Sequence, residues 1–181
     1  KTINLKSKDD LFLESANSLS EIKKLKDNSI DLLITDPPHS DRVPYLELSA
    51  IWNNILGYQN VDFENEIIFS NSSEREKTSE NYKNDITIFL KEALRVTKQN
   101  GLIGIMFNSS NPEDWTIFDE IKSNFIGMYD TDYSVGSIVQ DNRANSLKED
   151  KMLIFSKDKL TVKKLNLLKK CKNWTTSFPT N

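Results

Sequence analysis

The chain has 181 residues, enough for one domain with a sizeable core, and its 37% hydrophobic and 28% charged content fits a soluble globular protein. A net charge of −3 and a pI near 5.3 lack the basic excess of an electrostatic nucleic-acid binder. No apolar run reaches the roughly 18 residues of a membrane helix, "KTINLKSKDD" has no stretch like a signal peptide, and the lone Cys171 cannot form an internal disulfide, so a reducing, cytoplasmic setting without membrane contact is expected. One cysteine and one histidine also argue against a zinc site, and no metal is assigned.

In chain order, "DLFLES" (10–15) reads as a short strand, and "SLSEIKKLK" (18–26) as a helix with Leu19, Ile22 and Leu25 on one face and Ser18 as cap. "IDLLITD" (30–36) is a continuous apolar run, as expected of a strand covered on both faces. Leu48, Ile51, Trp52, Ile55 and Leu56 fall at i, i+3, i+4, i+7 and i+8, which predicts a helix over 45–56 ended by Gly57. Residues 58–78 are polar and read as a mobile loop. Over 79–98 the stripe Ile86, Phe89, Leu90, Ala93, Leu94, Thr97 gives the clearest helix, ended by "QNG". "LIGIMFN" (102–108) reads as a second buried strand and "PEDWTIFDEIKS" (112–123) as a helix with proline in its first turn. "FIGMYDTDYSV" (125–135) and "DKMLIFSK" (150–157) read as the last strands. Trp52 and Trp115 sit at helical positions and read as core. Strand and helix alternate until the closing strand pair, which predicts an α/β sandwich with a mainly parallel sheet and an antiparallel hairpin at one edge. "KDKLTVKKLNLLKKCK" (157–172) holds seven lysines against one aspartate: either a solvated helix face or a phosphate-contacting tail. The division is 1–157 for the main region and 158–181 for a lysine-rich tail or linker.

"DLLITDPPHSDRVPY" (31–45) carries the chemistry. In a doubly wound sheet, ligands sit outside the carboxyl ends of the strands, where Asp36 falls. Pro37 pushes Asp36 into an extended conformation, and Pro38 does the same to Pro37, leaving a stiff loop with few donors. Its carbonyls and the Asp36 carboxylate point outward as fixed acceptors, and His39 adds a ring. Acceptors beside a π-face suit a planar group bearing an amine, such as a nucleobase. The plainer reading is a proline-stiffened strand exit with an N-capping aspartate. A second ring, Tyr45, six residues beyond His39, and the polar "SDR" between them favour the site.

"TDPPH" resembles motif IV of the amino-directed DNA methyltransferases, usually Asp/Asn/Ser-Pro-Pro followed by Tyr, Phe or Trp. "SIDLLITDPPHSDRVPYLELSAIWNNILG" is similar to one branch of adenine/cytosine amino-methylases, in which a Tyr-x-Glu-Leu-Ser helix follows. "FLKEALRVTKQNGLIGIMFNSSNPEDW" and "NRANSLKEDKMLIFSK" resemble the segments after it, so the likeness covers residues 10–157 in order. It implies a Rossmann-like three-layer sandwich and transfer of a methyl group from S-adenosylmethionine to N6 of adenine or N4 of cytosine in DNA. By this likeness Asp36, Pro37, Pro38 and His39 are catalytic, Thr35, Ser15 and Ala16 face the cofactor, and Tyr45 faces the flipped base. By position, Asn108 at the end of its strand lines the base pocket or belongs to a plain strand-end turn, and Arg143 contacts the nucleic acid or belongs to an ordinary polar loop.

The chain departs from the family in three places. Position 39 is histidine where a larger ring is usual. "LESANSL" has Ser15 where the family often has an acid. None of the five glycines, Gly57, Gly101, Gly104, Gly127 and Gly136, forms the family's Phe-x-Gly-x-Gly methyl-donor turn. The first two strands and their ribose-binding acid are also missing, with residue 10 at the third strand. The chain therefore looks like the target-base half, with the cofactor half upstream, downstream in permuted order, on a second chain, or absent. The alternatives are a non-catalytic nucleic-acid-binding module and a methyltransferase for an RNA base or a protein amide.

Overall fold

The computed structural model describes residues 3–5, 11–13, 16–38, 44–58, 61–70, 72–109, 111–134, 149–158 and 173–179. Strands β1 (Ile3–Leu5) and β2 (Leu11–Leu13) form an antiparallel pair of their own. Within the segment 10–15, residues 11–13 thus form a strand that is not a member of the main sheet, and β1, which the sequence did not signal, is its partner.

The main sheet has four strands: β3 (Ile30–Thr35), β4 (Thr97–Phe107), β5 (Phe125–Ser134) and β6 (Glu149–Phe155), in the order β3-β4-β6-β5. β3 runs parallel to β4, while β6 is antiparallel to both β4 and β5. Three strands therefore point one way, and the reversed β6 is inserted between β4 and β5. The architecture is α/β with a mixed sheet.

Helix α4 (Ser79–Val96) organises the core. Thr78 accepts from the Asn81 N–H while the Asn81 side chain accepts from the Thr78 N–H, a reciprocal cap on two otherwise unpaired donors. Tyr82, Ile86, Leu90, Ala93 and Val96 fall on one face and are buried against Ile103, Ile105 and Phe107 of β4 and Leu153 and Phe155 of β6. The helix passes into β4 at Thr97, so "QNG" lies within the strand. Gly101 is needed there, since a Cβ would lie 2.9 Å from the Asp31 carbonyl oxygen and 3.0 Å from that of Ile30.

Helix α1 (Ser18–Lys24) packs with α4. Its cap is Asn17, whose Oδ1 accepts from the Ser20 N–H at 2.9 Å, rather than Ser18. Arg95 of α4 closes the other end, donating to the carbonyls of Ile22 and Leu25 at 3.1 and 3.0 Å. Glu92 and Asp27 keep this guanidinium firmly protonated. Lys157 donates to Asn28 Oδ1 at 2.7 Å nearby, and burial holds its ammonium below the usual lysine range.

Four other expectations are corrected. β3 is not covered on both faces: Leu32 and Ile34 are 55% and 65% exposed. Residues 45–56 form two short helices, α2 (Tyr45–Leu48) and α3 (Ala50–Ile55), and the predicted core stripe is in the open, with Ile51 71% and Trp52 65% exposed. Gly57 does end this segment, at φ +76°. Residues 61–78 hold a buried Ile68, with Ile67 and Phe69 against the core. Residues 112–118 are a 3₁₀ helix that buries Trp115, Ile117 and Phe118.

The last described residues return to the sheet. Thr175 bridges Met128 through two backbone hydrogen bonds of 2.9 Å, Trp174 stacks on Tyr129, and Phe178 packs on Trp115 and Phe125. The lysine-rich stretch 159–172 lies outside the described residues. Trp174 occupies the space over Gly127, where a Cβ would lie 2.3 Å from its Cζ2. Gly127→Ala is therefore expected to lower unfolding free energy by about 1–3 kcal/mol in urea titrations, with only part of the loss absent when Trp174 is already alanine, since the Cβ would still lie 2.8 Å from the Thr175 carbonyl oxygen. An unchanged urea midpoint in Gly127→Ala would mean that Trp174 is not seated there.

Candidate active site

Asp36 follows the carboxyl end of β3, and the parallel register pairs Thr35 with Ile105. Asn108, just beyond β4, therefore leaves the sheet at the same edge. Asp36 is exposed, Pro37 is buried and Pro38 half-buried, so the carboxylate stands at the surface on a buried prolyl base. The Tyr82 hydroxyl, otherwise enclosed by core, donates to the Pro38 carbonyl at 2.6 Å. That carbonyl points inward, which corrects the expectation that the loop's carbonyls all face out as acceptors. The consequence is an anchor: the core helix α4 fixes the strand exit that carries Asp36.

Two hollows adjoin this exit. One, of about 500 Å³, is lined by Ala16, Asn17, Pro38, Tyr45, Asn65 and Glu66 among others. It brings together three of the residues singled out from the sequence: Ala16, Pro38 and Tyr45. Among the described residues its walls carry two carboxylates, Asp62 and Glu66, acceptors that suit an amine-bearing group. The Asn17 amide donates to the Asn65 carbonyl at 3.3 Å across it. The other hollow, of about 540 Å³, is an apolar groove beside β3 lined by Thr35, Leu32, Ile34, Ile22, Leu25 and Phe89. Ser18 lines both, so the assigned cofactor residues Thr35 and Ala16 fall in adjoining spaces.

Asn108 is half-buried and lines neither hollow. Ser15, His39 and Arg143 lie outside the described residues. Among the described residues no cluster of His, Cys, Asp and Glu could hold a metal ion, and no helix is long and apolar enough to cross a membrane.

Sequence reasoning missed Tyr82, Glu66 and Arg75. Tyr82 had a signal, since it stands four residues before Ile86 on the α4 face. Glu66 and Arg75 had none: they are two charges in an aperiodic stretch, joined only by folding. Glu66 accepts from the Leu46 N–H at 3.0 Å and pairs with Arg75, whose Nε lies 2.9 Å from Glu47 Oε1.

No family model and no curated protein matches the chain. Among solved structures, it is similar to a candidate DNA modification methylase from Thermus thermophilus, at 12% identity and TM-score 0.43, over 78% of this chain and 50% of that one. It is also similar to the PvuII DNA methyltransferase, cytosine-N4-specific, at 14% identity and TM-score 0.46, over 80% of this chain and 48% of that one. The chain spans about half the length of each.

The anchor on Pro38 is open to a direct check. Tyr82→Phe keeps the ring in the core and removes only the donor, so stability is expected to fall by about 1 kcal/mol in denaturant unfolding. Amide exchange should rise around 35–36 more than at Leu90. Equal protection of both segments in the mutant would show that the hydroxyl holds nothing.

Proposed function

We propose that this chain is the target-base part of an S-adenosylmethionine-dependent DNA methyltransferase that modifies an exocyclic amine, N6 of adenine or N4 of cytosine. The observation that carries this reading is the placing of Asp36-Pro37-Pro38. It leaves a parallel strand at its carboxyl end, tied to the core by Tyr82, beside an acceptor-rich hollow with Tyr45 on its wall. The motif resemblance supplies the reaction class, and the geometry is compatible with it.

The amine is a poor nucleophile because its lone pair is delocalised into the ring. Asp36 and the Pro37 carbonyl accept its two N–H groups, hold the nitrogen closer to tetrahedral, and aim its lone pair away from them. This is catalysis by positioning and electrostatics, and it calls for no strong base. The base reaches the site by leaving the duplex, at a cost of a few kcal/mol that stacking on Tyr45 and His39 offsets. S-adenosylmethionine, when bound, supplies the electrophilic methyl group. The residues present fit one side of that molecule: Thr35 in the groove beside β3 and Ala16 in the adjoining hollow. No glycine turn in the sequence offers the opposite, close backbone approach.

A half-site is also the reading that the exposed apolar surface favours. Leu32 and Ile34 on β3, with Leu48, Ile51, Trp52 and Ile55 on α2 and α3, are 55% to 71% exposed. Apolar surface of that extent marks an interaction site. The cofactor half would cover it, from elsewhere in a longer polypeptide or from a second chain. The missing glycine turn equally favours a second reading, a non-catalytic nucleic-acid-binding module that keeps the base pocket. Cytoplasmic location follows from the reaction and its substrate.

Methyl transfer by the complete protein separates the two, and Asp36→Ala in that active enzyme tests the role of Asp36. Methyl transfer is expected to fall about 10²–10³-fold with cofactor affinity nearly unchanged, since Asp36 faces the amine. Transfer at the wild-type rate would remove Asp36 from the mechanism.

The 181-residue chain by itself is expected to bind S-adenosylmethionine weakly or not at all, because small-ligand sites enclose most of the ligand surface. Titration calorimetry giving a dissociation constant in the low micromolar range would place the whole cofactor site within this chain.

A further inference from the structure

Helix α2 poses a physical problem. Neither α2 nor α3 buries a side chain, yet Tyr45, the first residue of α2, walls the hollow beside Pro38. Pro44, at the N-cap position, offers no capping side chain either.

A charged triad supplies the hold. Glu66 lies on the same hollow with its side chain only 8% exposed. One carboxylate oxygen accepts from the Leu46 N–H of the first turn of α2 at 3.0 Å, and the other pairs with Arg75 Nη2. Arg75, 12% exposed, reaches on to Glu47 Oε1 of α2 at 2.9 Å, and its guanidinium carbon lies 4.6 Å from the Phe63 ring centroid. The Nε contact has ion-pair distance without hydrogen-bond geometry, so its contribution is the charge. One cation thus ties the helix that bears Tyr45 to the segment that bears the facing wall. For stability alone, apolar residues of the same volume would serve as well or better, because the charges are largely desolvated. What a triad adds is direction: it fixes where α2 stands relative to Glu66.

We propose that Arg75, acting through Glu66 and Glu47, is a positioning residue that sets the Tyr45 wall of the nucleobase pocket. The proposal rests on the base-pocket reading given above. It adds a specificity element, since the separation of Tyr45 from Glu66 sets the width available to the base. Asp62 and Glu66 on its lining are acceptors that suit an exocyclic amine.

The test uses adenosine and cytidine, which are uncharged, so that removing a charge from the protein does not itself change the attraction. Dissociation constants are measured by saturation-transfer NMR for the full chain, Arg75→Met, Arg75→Lys, Tyr45→Ala and the Arg75→Met/Tyr45→Ala pair. Amide exchange is followed at Leu46, Leu90 and Ile105. Arg75→Met is expected to weaken nucleoside binding roughly tenfold or more and to speed exchange at Leu46, while Leu90 and Ile105 stay protected. Arg75→Lys recovers part of the affinity, and Arg75→Met adds little in the Tyr45→Ala background. Full affinity in Arg75→Met, with Tyr45→Ala impaired, overturns the proposal and leaves the base pocket standing. Additive losses, or lost protection at Leu90 and Ile105, make Arg75 merely structural and overturn it too. A wild-type chain that binds neither nucleoside overturns the base-pocket reading and the proposal with it.

Discussion

The Tyr82 hydroxyl donates to the Pro38 carbonyl at 2.6 Å, and this hydrogen bond ties the core to the strand exit that carries Asp36. Tyr82 continues the stripe that Ile86, Leu90 and Ala93 bury against β4 and β6. A buried phenol must find an acceptor. The Asp36-Pro37-Pro38 exit lacks prolyl N–H groups and offers carbonyls instead. The bond therefore satisfies the helix and immobilises the loop at once. Every placement at the edge of the sheet, including the stance of Asp36, inherits its accuracy from the packing of α4.

The opposite side of the hollow follows another rule. There the wall is made by α2, which buries nothing, and by the 61–78 segment, which has no helix or strand among its described residues to fix it. Charges add to packing: Ile68 is buried and Ile67 and Phe69 lie against the core, while Glu66 takes a backbone donor of α2 and Arg75 holds Glu66 and Glu47 together. A pocket with one wall set by core and another by directional ionic contacts can change width without unfolding the domain. That division also explains why large apolar side chains on α3 and on the open face of β3 are left at the surface. The described elements have no second layer to receive them, and a further half of the protein would provide one.

Much of the frame was legible because its cause is local. The α4 stripe, the proline in the first turn at 112, Gly57 after α3 and the apolar runs of β3 and β4 each follow from spacing or backbone preference within a few residues. So did Asp36-Pro37-Pro38 at a strand end. The misreadings share a different origin. A periodic stripe says that one face is apolar, and it does not say that anything covers that face; Ile51 and Trp52 have the right spacing and stand in the open. The 3₁₀ helix at 112–118 escaped because its three residues per turn are close to the 3.6 of an α-helix over so short a span.

By itself the sequence determined the α4 stripe, the apolar runs of β3 and β4, the Asp36-Pro37-Pro38 strand exit and the lack of a Phe-x-Gly-x-Gly turn, since all four are properties of adjacent residues. Only the tertiary structure decided that β6 inserts between β4 and β5, that 11–13 pairs outside the main sheet, and that Ala16, Pro38 and Tyr45 share one hollow. It alone joined Tyr82 to Pro38, 44 residues away, and Arg75 to Glu47. Pairings of that range depend on how the chain closes on itself, which local propensity and charge do not encode.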